Sequence, residues 1–166
     1  MSILGRRARN RCGTGLDPGE DLRRAISSIA VVSQGGEDAQ NRRDRRAELV
    51  RVVAEGVVLQ DQAVAVLADI RARAPLDDVA RRGGWLARRF LDLRNRLPIA
   101  VDAEMGRQCA TASVVLDHHG HVLVYALELL AADWRGCPQI CAQLERLDGL
   151  GAPAERLETL YAELTH

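Results

Sequence analysis

Apolar residues recur along most of this chain at steps of three and four positions, which is the spacing of one face of an α-helix. The clearest stripe consists of Cys109, Ala112, Leu116, His119, Leu123, Ala126 and Leu130. The same stretch carries a second, partly apolar face, formed by Val114, Val122, Tyr125 and Leu129. A helix with two such faces is covered on both sides, so we predict that it lies centrally in a bundle.

A second long stripe precedes the central one and predicts another long helix, from about residue 38 to residue 73. Its seam positions are Leu49, Val52, Gly56, Leu59, Ala63, Val66 and Ile70. Glycine within a helix costs roughly 1 kcal/mol relative to alanine. Close approach of a neighbouring helix would explain the glycine in this seam. The central helix is predicted to span about residues 101–134.

Proline and glycine residues mark the remaining helices. A short helix is predicted over residues 17–36, where it ends at a pair of glycines. An Arg-rich helix lies between Pro75 and Pro98, and two further short helices begin at Pro138 and Pro153. Since no stretch has the alternation of a strand, the predicted fold is all-α.

The predicted architecture is an antiparallel helical bundle of about five to six helices, two of them long, at about 38–73 and 101–134. We predict a single domain over residues 17–166. Residues 1–16 combine arginines with glycines and no apolar stripe, and they are predicted to form a disordered basic tail.

Composition adds an aliphatic core and an uneven charge to this picture. Aromatic residues make up only 3 % of the 166 residues, whereas apolar residues reach 47 %. The 23 basic residues, all arginine, balance 23 acidic ones. Basic residues dominate residues 81–96, and acidic residues dominate residues 102–166. A basic and an acidic region can complement each other within a fold or between subunits. The net charge of zero disfavours a dedicated nucleic-acid binder.

The cysteines and the amino terminus predict a cytoplasmic protein. The four cysteines do not follow a disulfide framework, and the start of the chain lacks the apolar core of a secretory signal. Reduced thiols are therefore expected. The central stripe is too polar in its middle to be a transmembrane segment.

Familiar catalytic motifs are missing from the sequence. It contains no G-x-S-x-G, no P-loop, no dinucleotide-binding glycine motif, no C-x-x-C and no H-E-x-x-H. We therefore predict no catalytic residues and lean against an enzyme. No cofactor is identified, and none is the preferred expectation.

Three polar residues of the central helix form the candidate metal site: Asp117, His118 and His121. Asp117 and His121 are four positions apart, and His118 and His121 are three apart, so each pair can touch. Such a pair suits a metal or haem site, but it also suits a hydrated surface on which a carboxylate orients an imidazole. His119 is in the apolar seam and is expected to be hydrogen-bonded inside the bundle.

The Arg-rich helix supplies a candidate contact for an anion or nucleic acid through Arg81, Arg82, Arg88 and Arg89. The basic tail would assist such binding. The alternative is a solvated face whose arginines pair with acidic residues of a neighbouring helix.

These observations favour a helical protein-interaction or regulatory module, because the second face of the central helix needs a partner. That partner is another protein or a second copy of this chain. Two alternatives stay open: a metal- or haem-binding bundle using Asp117, His118 and His121, and a nucleic-acid-associated protein using its arginines.

Overall fold

The computed structural model describes residues 18–132, 137–147 and 149–166, with side chains from residue 38 onward. The described residues form five helices: α1 (Pro18–Arg71), α2 (Leu76–Asn95), α3 (Ala103–Ala132), α4 (Pro138–Glu145) and α5 (Ala152–Thr165). The described residues include no strand. The prediction of an all-α helical bundle is confirmed.

Residue contacts divide the chain into two compact units, 1–40 and 41–166. The site described below belongs entirely to the second unit. The predicted basic tail, residues 1–16, lies outside the described residues, and the prediction of a single domain over 17–166 stays a prediction. None of the described helices combines the length and the apolar character needed to cross a membrane.

The first predicted helix boundary was wrong. The glycine pair Gly35–Gly36 was expected to end a short helix, yet α1 continues through it without interruption. Glycine raises the free energy of a helix but ends it only where the chain turns into a left-handed or capped conformation. The residues that follow are rich in arginine and also include glutamate and alanine, which are all good helix formers, and they continue the helix.

The other boundaries agree with the sequence. Pro75 follows the end of α1, and Arg73 adopts a left-handed conformation with φ of 57° in the turn between them. α2 ends before Pro98, and α3 begins at Ala103, two residues after the predicted start. The predicted end of this helix at residue 134 lies outside the described residues. Short connections after α1 and α2 leave consecutive helices side by side.

The core lies where the predicted seams meet. The α1 seam is buried, and so is the middle of the α3 seam, whereas Cys109 and Leu130 at its ends are half-buried. α2 contributes Val79, Leu86, Phe90 and Leu93. Phe90, the only phenylalanine of the chain, is fully buried. α5 closes the bundle with Leu157, Leu160 and Leu164. The core is therefore aliphatic around one aromatic ring, as the composition predicted.

Gly56 allows α1 to approach two other helices closely. A Cβ atom at this position would lie 3.0 Å from a methyl carbon of Leu116 on α3 and 3.2 Å from one of Leu157 on α5. The predicted reason for a glycine in the α1 seam is confirmed. On α2, a Cβ at Gly83 would lie 3.1 Å from Leu127 of α3, whereas one at Gly84 would meet no atom within 4 Å.

These environments predict opposite outcomes for the same substitution. Gly84→Ala is expected to raise the free energy of unfolding by about 1 kcal/mol, since it gains helix propensity and meets no neighbour. Gly56→Ala is expected to give no gain, because two leucines must move. Urea unfolding of both variants is the measurement, and equal gains at the two positions would contradict the packing described for Gly56.

Candidate functional site

α2 and α3 form an exposed groove where their backbones come close together. A Cβ at Gly120 of α3 would lie 3.5 Å from the carbonyl oxygen of Ala87 on α2. Above this contact is a cavity of about 240 Å³, which we call the α2–α3 groove. It is lined by Ala87, Arg88, Leu91, Leu116, Asp117, Gly120, His121 and Val124. Ala87 and Gly120 form the floor of the groove, because neither residue has a large side chain to fill it.

The walls of the α2–α3 groove are apolar and exposed. Leu91 on α2 is 47 % exposed, and Val124 on α3 is 45 % exposed. On the same helix, Val114 and Tyr125 are also exposed, whereas Leu129 is buried. Part of the second apolar face predicted for the central helix is therefore covered within the chain, and part of it remains open to solvent.

Asp117 and His121 are together at the α3 wall of this groove. The His121 Nδ1 atom lies 2.8 Å from the Asp117 carbonyl oxygen and 3.4 Å from its carboxylate Oδ2. The predicted contact between these two residues is confirmed. Arg94 of α2 also approaches the carboxylate, with 3.6 Å between Nη1 and Oδ1. Asp117 thus has basic groups of two helices beside it.

His118, the third candidate metal ligand, lies elsewhere. It lines a different cavity, of about 460 Å³, between α3 and the start of α5. Among the described residues, no group of three or more histidine, cysteine, aspartate or glutamate side chains is arranged to hold a metal ion. The metal site of Asp117, His118 and His121 stays a prediction.

Most arginines of the α2 surface form ion pairs. Arg81 and Arg82 both bind Asp78, at 2.6 and 2.9 Å, and Arg82 also binds Asp69 of α1 at 2.6 Å. Arg89 binds Glu55 of α1. These acids come mainly from α1, and within the described residues the acidic carboxyl-terminal part contributes only Asp117 to α2.

Arg96 extends this pairing at the end of α2. It binds Glu55 at 2.9 Å and Glu48 at 3.3 Å. Burial by itself would raise the pKa of Glu55, but hydrogen bonds from Arg96 and Arg89 outweigh that effect and lower the pKa.

Arg88 differs from its neighbours, since it is exposed and has no ion pair within the described part of the chain. Anion contact by Arg81, Arg82, Arg88 and Arg89 stays a prediction.

A second polar cluster extends from the buried interior of the bundle to the exposed Glu158 of α5. The fully buried His119 ring of α3 has its Nε2 atom 3.0 Å from Oε1 of Gln60 on α1, and the ring N–H donates to that oxygen. The Gln60 amide nitrogen in turn donates to Glu158 of α5 at 2.9 Å. The expectation that His119 is bonded internally is confirmed. The cluster joins three helices.

The environment of His119 keeps its ring neutral. Its Nδ1 atom is buried and has no hydrogen-bond partner among the described residues. The ring meets Phe90 edge to face, with 5.2 Å between centroids. Burial, and to a lesser degree the neighbouring His118, lower the pKa of His119 to about 4. The sequence analysis missed Gln60 and Glu158. Gln60 could have been noticed, because it lies four positions after Gly56 and is therefore a polar residue on the buried face of α1.

The three described cysteines are not joined by disulfides. Cys109, Cys137 and Cys141 are half-buried, and none of them forms a disulfide within the described part of the chain. Burial raises the pKa of the Cys109 thiol, which donates weakly to the Pro98 carbonyl at 3.6 Å. A raised pKa disfavours the thiolate, so Cys109 has the character of a packing residue. Cys12 lies outside the described residues.

Comparison with known proteins gives no further assignment. No family model, no curated protein and no solved structure matches the chain.

Proposed function

We propose that the chain is a helical protein-interaction or regulatory module that associates with a second copy of itself through the α2–α3 groove. One observation carries the proposal: this groove is apolar at its centre and has charges of opposite sign on its two walls. Arg88 is on the α2 wall, and Asp117 is on the α3 wall.

The apolar centre provides the favourable free energy for association. Leu91 and Val124 remain about half exposed in the single chain, and they flank a floor made of small residues. A second helix that presents a leucine fits such a floor, because side chains of one helix pack into the gaps between those of another. In the proposed dimer, Leu91 of each copy enters the groove of the other.

The charges favour a second copy over an unrelated partner. A two-fold axis places each patch against its own copy, so a self-associating patch must be complementary to itself. Rotation about such an axis brings Arg88 of one copy towards Asp117 of the other, and the same contact forms twice. Arg88 is free for this role, since the described chain offers it no ion pair of its own. The net charge of zero adds no long-range repulsion between copies.

Solution mass tests the proposal. The wild-type protein is expected to have twice the chain mass of 18.2 kDa by sedimentation equilibrium. Leu91→Glu or Val124→Glu buries an unpaired charge in the interface, and each is expected to weaken association by at least about 100-fold, or about 2.7 kcal/mol. Val64→Glu is the matched control, because Val64 is an exposed valine of α1 outside the groove.

A charge exchange adds specificity to the test. Arg88→Glu and Asp117→Arg are each expected to weaken the dimer, and the double variant is expected to recover most of the loss. Far-ultraviolet circular dichroism checks that every variant remains helical. A wild-type chain that stays monomeric at about 100 μM, or a Val64→Glu variant that dissociates as fully as Leu91→Glu, would refute the proposed interface.

A further inference from the structure

A second concave surface lies between α1 and α2 and shares no residue with the α2–α3 groove. It is a cavity of about 500 Å³, which we call the Trp85 cavity. Its lining consists of Gln62, Ala65, Val66, Arg81, Arg82, Trp85 and Leu86. Gln62, Ala65, Arg81 and Trp85 are exposed, so the cavity is open to solvent along the two helices.

The apolar part of the Trp85 cavity suits one large apolar side chain. Trp85 is 49 % exposed, and beside it the lining includes Ala65, Val66 and Leu86. A half-exposed tryptophan presents a wide, rigid apolar surface, and tryptophan is among the residue types that contribute most to protein interfaces. The indole therefore forms one wall of a pocket that an incoming side chain fills.

The charged part of the lining is entirely basic. Arg81 and Arg82 line the cavity, whereas their acidic partners Asp78 and Asp69 do not. A guanidinium group has five N–H donors. Arg82 uses Nε and Nη2 in its ion pairs, and Arg81 uses Nη2 alone, so donors remain on both groups. The ion pairs fix the position of the guanidinium groups, which lowers the entropy lost when they bind a carboxylate.

We propose that the Trp85 cavity binds an acidic amphipathic helix of another protein. The partner inserts an apolar side chain against Trp85, and carboxylates on the same face pair with Arg81 and Arg82. A cavity along two adjacent antiparallel helices suits a third helix laid along it, as in helix-in-groove recognition. The inference goes beyond self-association: a dimer formed through the α2–α3 groove would carry two Trp85 cavities and would bind two such helices.

Tryptophan fluorescence provides a direct readout. The chain has two tryptophans, so Trp134→Phe leaves Trp85 as the only reporter. The probe is a synthetic helical peptide with leucines four positions apart and flanking glutamates, and its counterpart has lysines in place of the glutamates. The glutamate peptide is expected to shift the Trp85 emission to the blue in a saturable manner, because the indole loses contact with water. The lysine peptide is expected to produce no saturable shift.

Substitutions identify the cavity. Arg81→Gln is expected to weaken binding of the glutamate peptide about tenfold, which corresponds to about 1.4 kcal/mol. Ala65→Glu places a like charge in the cavity and is expected to abolish binding. Arg88→Gln, an exposed arginine of the same helix outside the lining, is expected to leave binding unchanged, and so is Leu91→Glu. No saturable shift with the glutamate peptide, an equal shift with the lysine peptide, or unchanged binding after Ala65→Glu would overturn the proposal.

Discussion

Acidification from about pH 7 to about pH 4 is expected to lower the free energy of unfolding by about 3 kcal/mol through His119 alone. The folded protein holds the pKa of this histidine at about 4, compared with 6.5 for an unperturbed imidazole. Between these two values the unfolded chain binds a proton that the folded chain does not. The contribution of the neutral His119 to the free energy of unfolding is therefore fully present above about pH 6.5. It falls as the pH decreases and is lost once the pH reaches the pKa of His119 in the folded protein.

The cause is the arrangement around the ring. The Nε2–H group already donates to Gln60, so a second proton must go to Nδ1. That atom is buried without a partner in the described chain, and the Phe90 ring lies beside the imidazole. A charged imidazolium would lose its hydration without gaining a compensating hydrogen bond.

Urea unfolding at several pH values isolates the contribution of His119. The quantity to follow is the difference in unfolding free energy between wild type and His119→Gln, because shared carboxylates then cancel. This difference is expected to decrease as the pH is lowered from about 6.5 to about 4. A His119→Gln difference that stays constant across the range would show that His119 titrates normally in the folded state.

Phe90→Ala is expected to destabilise the fold by about 3–5 kcal/mol, the cost typical of truncating a buried phenylalanine. Phe90 is fully buried and is the only aromatic ring in the core of the described bundle. Its loss removes apolar contacts of α2 with the interior and the edge-to-face contact with His119. Neighbouring aliphatic side chains fill such a large cavity only in part, because their positions are fixed by helix packing.

Thermal or urea unfolding measures this effect, and Leu76→Ala is the comparison on the same helix. Leu76 is exposed at the start of α2, and its truncation is expected to cost less than about 1 kcal/mol. Comparable losses in the two variants would contradict the central position of Phe90.

The fold was largely predictable because its signals are local. The three- and four-residue steps of apolar residues fixed α1 and α3, and Pro75 and Pro98 bounded α2. The wrong helix end predicted at Gly35–Gly36 also came from a local signal. A glycine pair lowers helix propensity locally, but good helix formers on its carboxyl-terminal side restore it, and propensity alone does not say which effect dominates.

The candidate site was predictable only where both partners belong to one helix. The contact of Asp117 with His121 follows from their spacing of four residues. His118 is separated from Asp117 by about 100° around the helix axis, which carries it to the side of α5. The burial of His119 followed from its seam position, but its partner Gln60 is 59 residues away on another helix. A single sequence does not say which helices adjoin.

The ion pairs between α1 and α2 have a consequence for how these helices align. The acids of α1 occupy positions 48, 55 and 69, and the arginines that bind them occupy positions 82, 89 and 96. Within each set the positions differ by multiples of seven, and the two sets pair in opposite directions along the chain. Partly exposed ion pairs add little stability. Position 62, where the repeat of acids would continue, is Gln62. Because of this gap, the alignment with Arg96 opposite Glu48 and the alignment with Arg96 opposite Glu55 each place two acids opposite arginines, and Arg96 contacts both acids. Charge pairing does not distinguish these two heptad alignments, so the apolar packing between the helices must specify the register of α1 on α2.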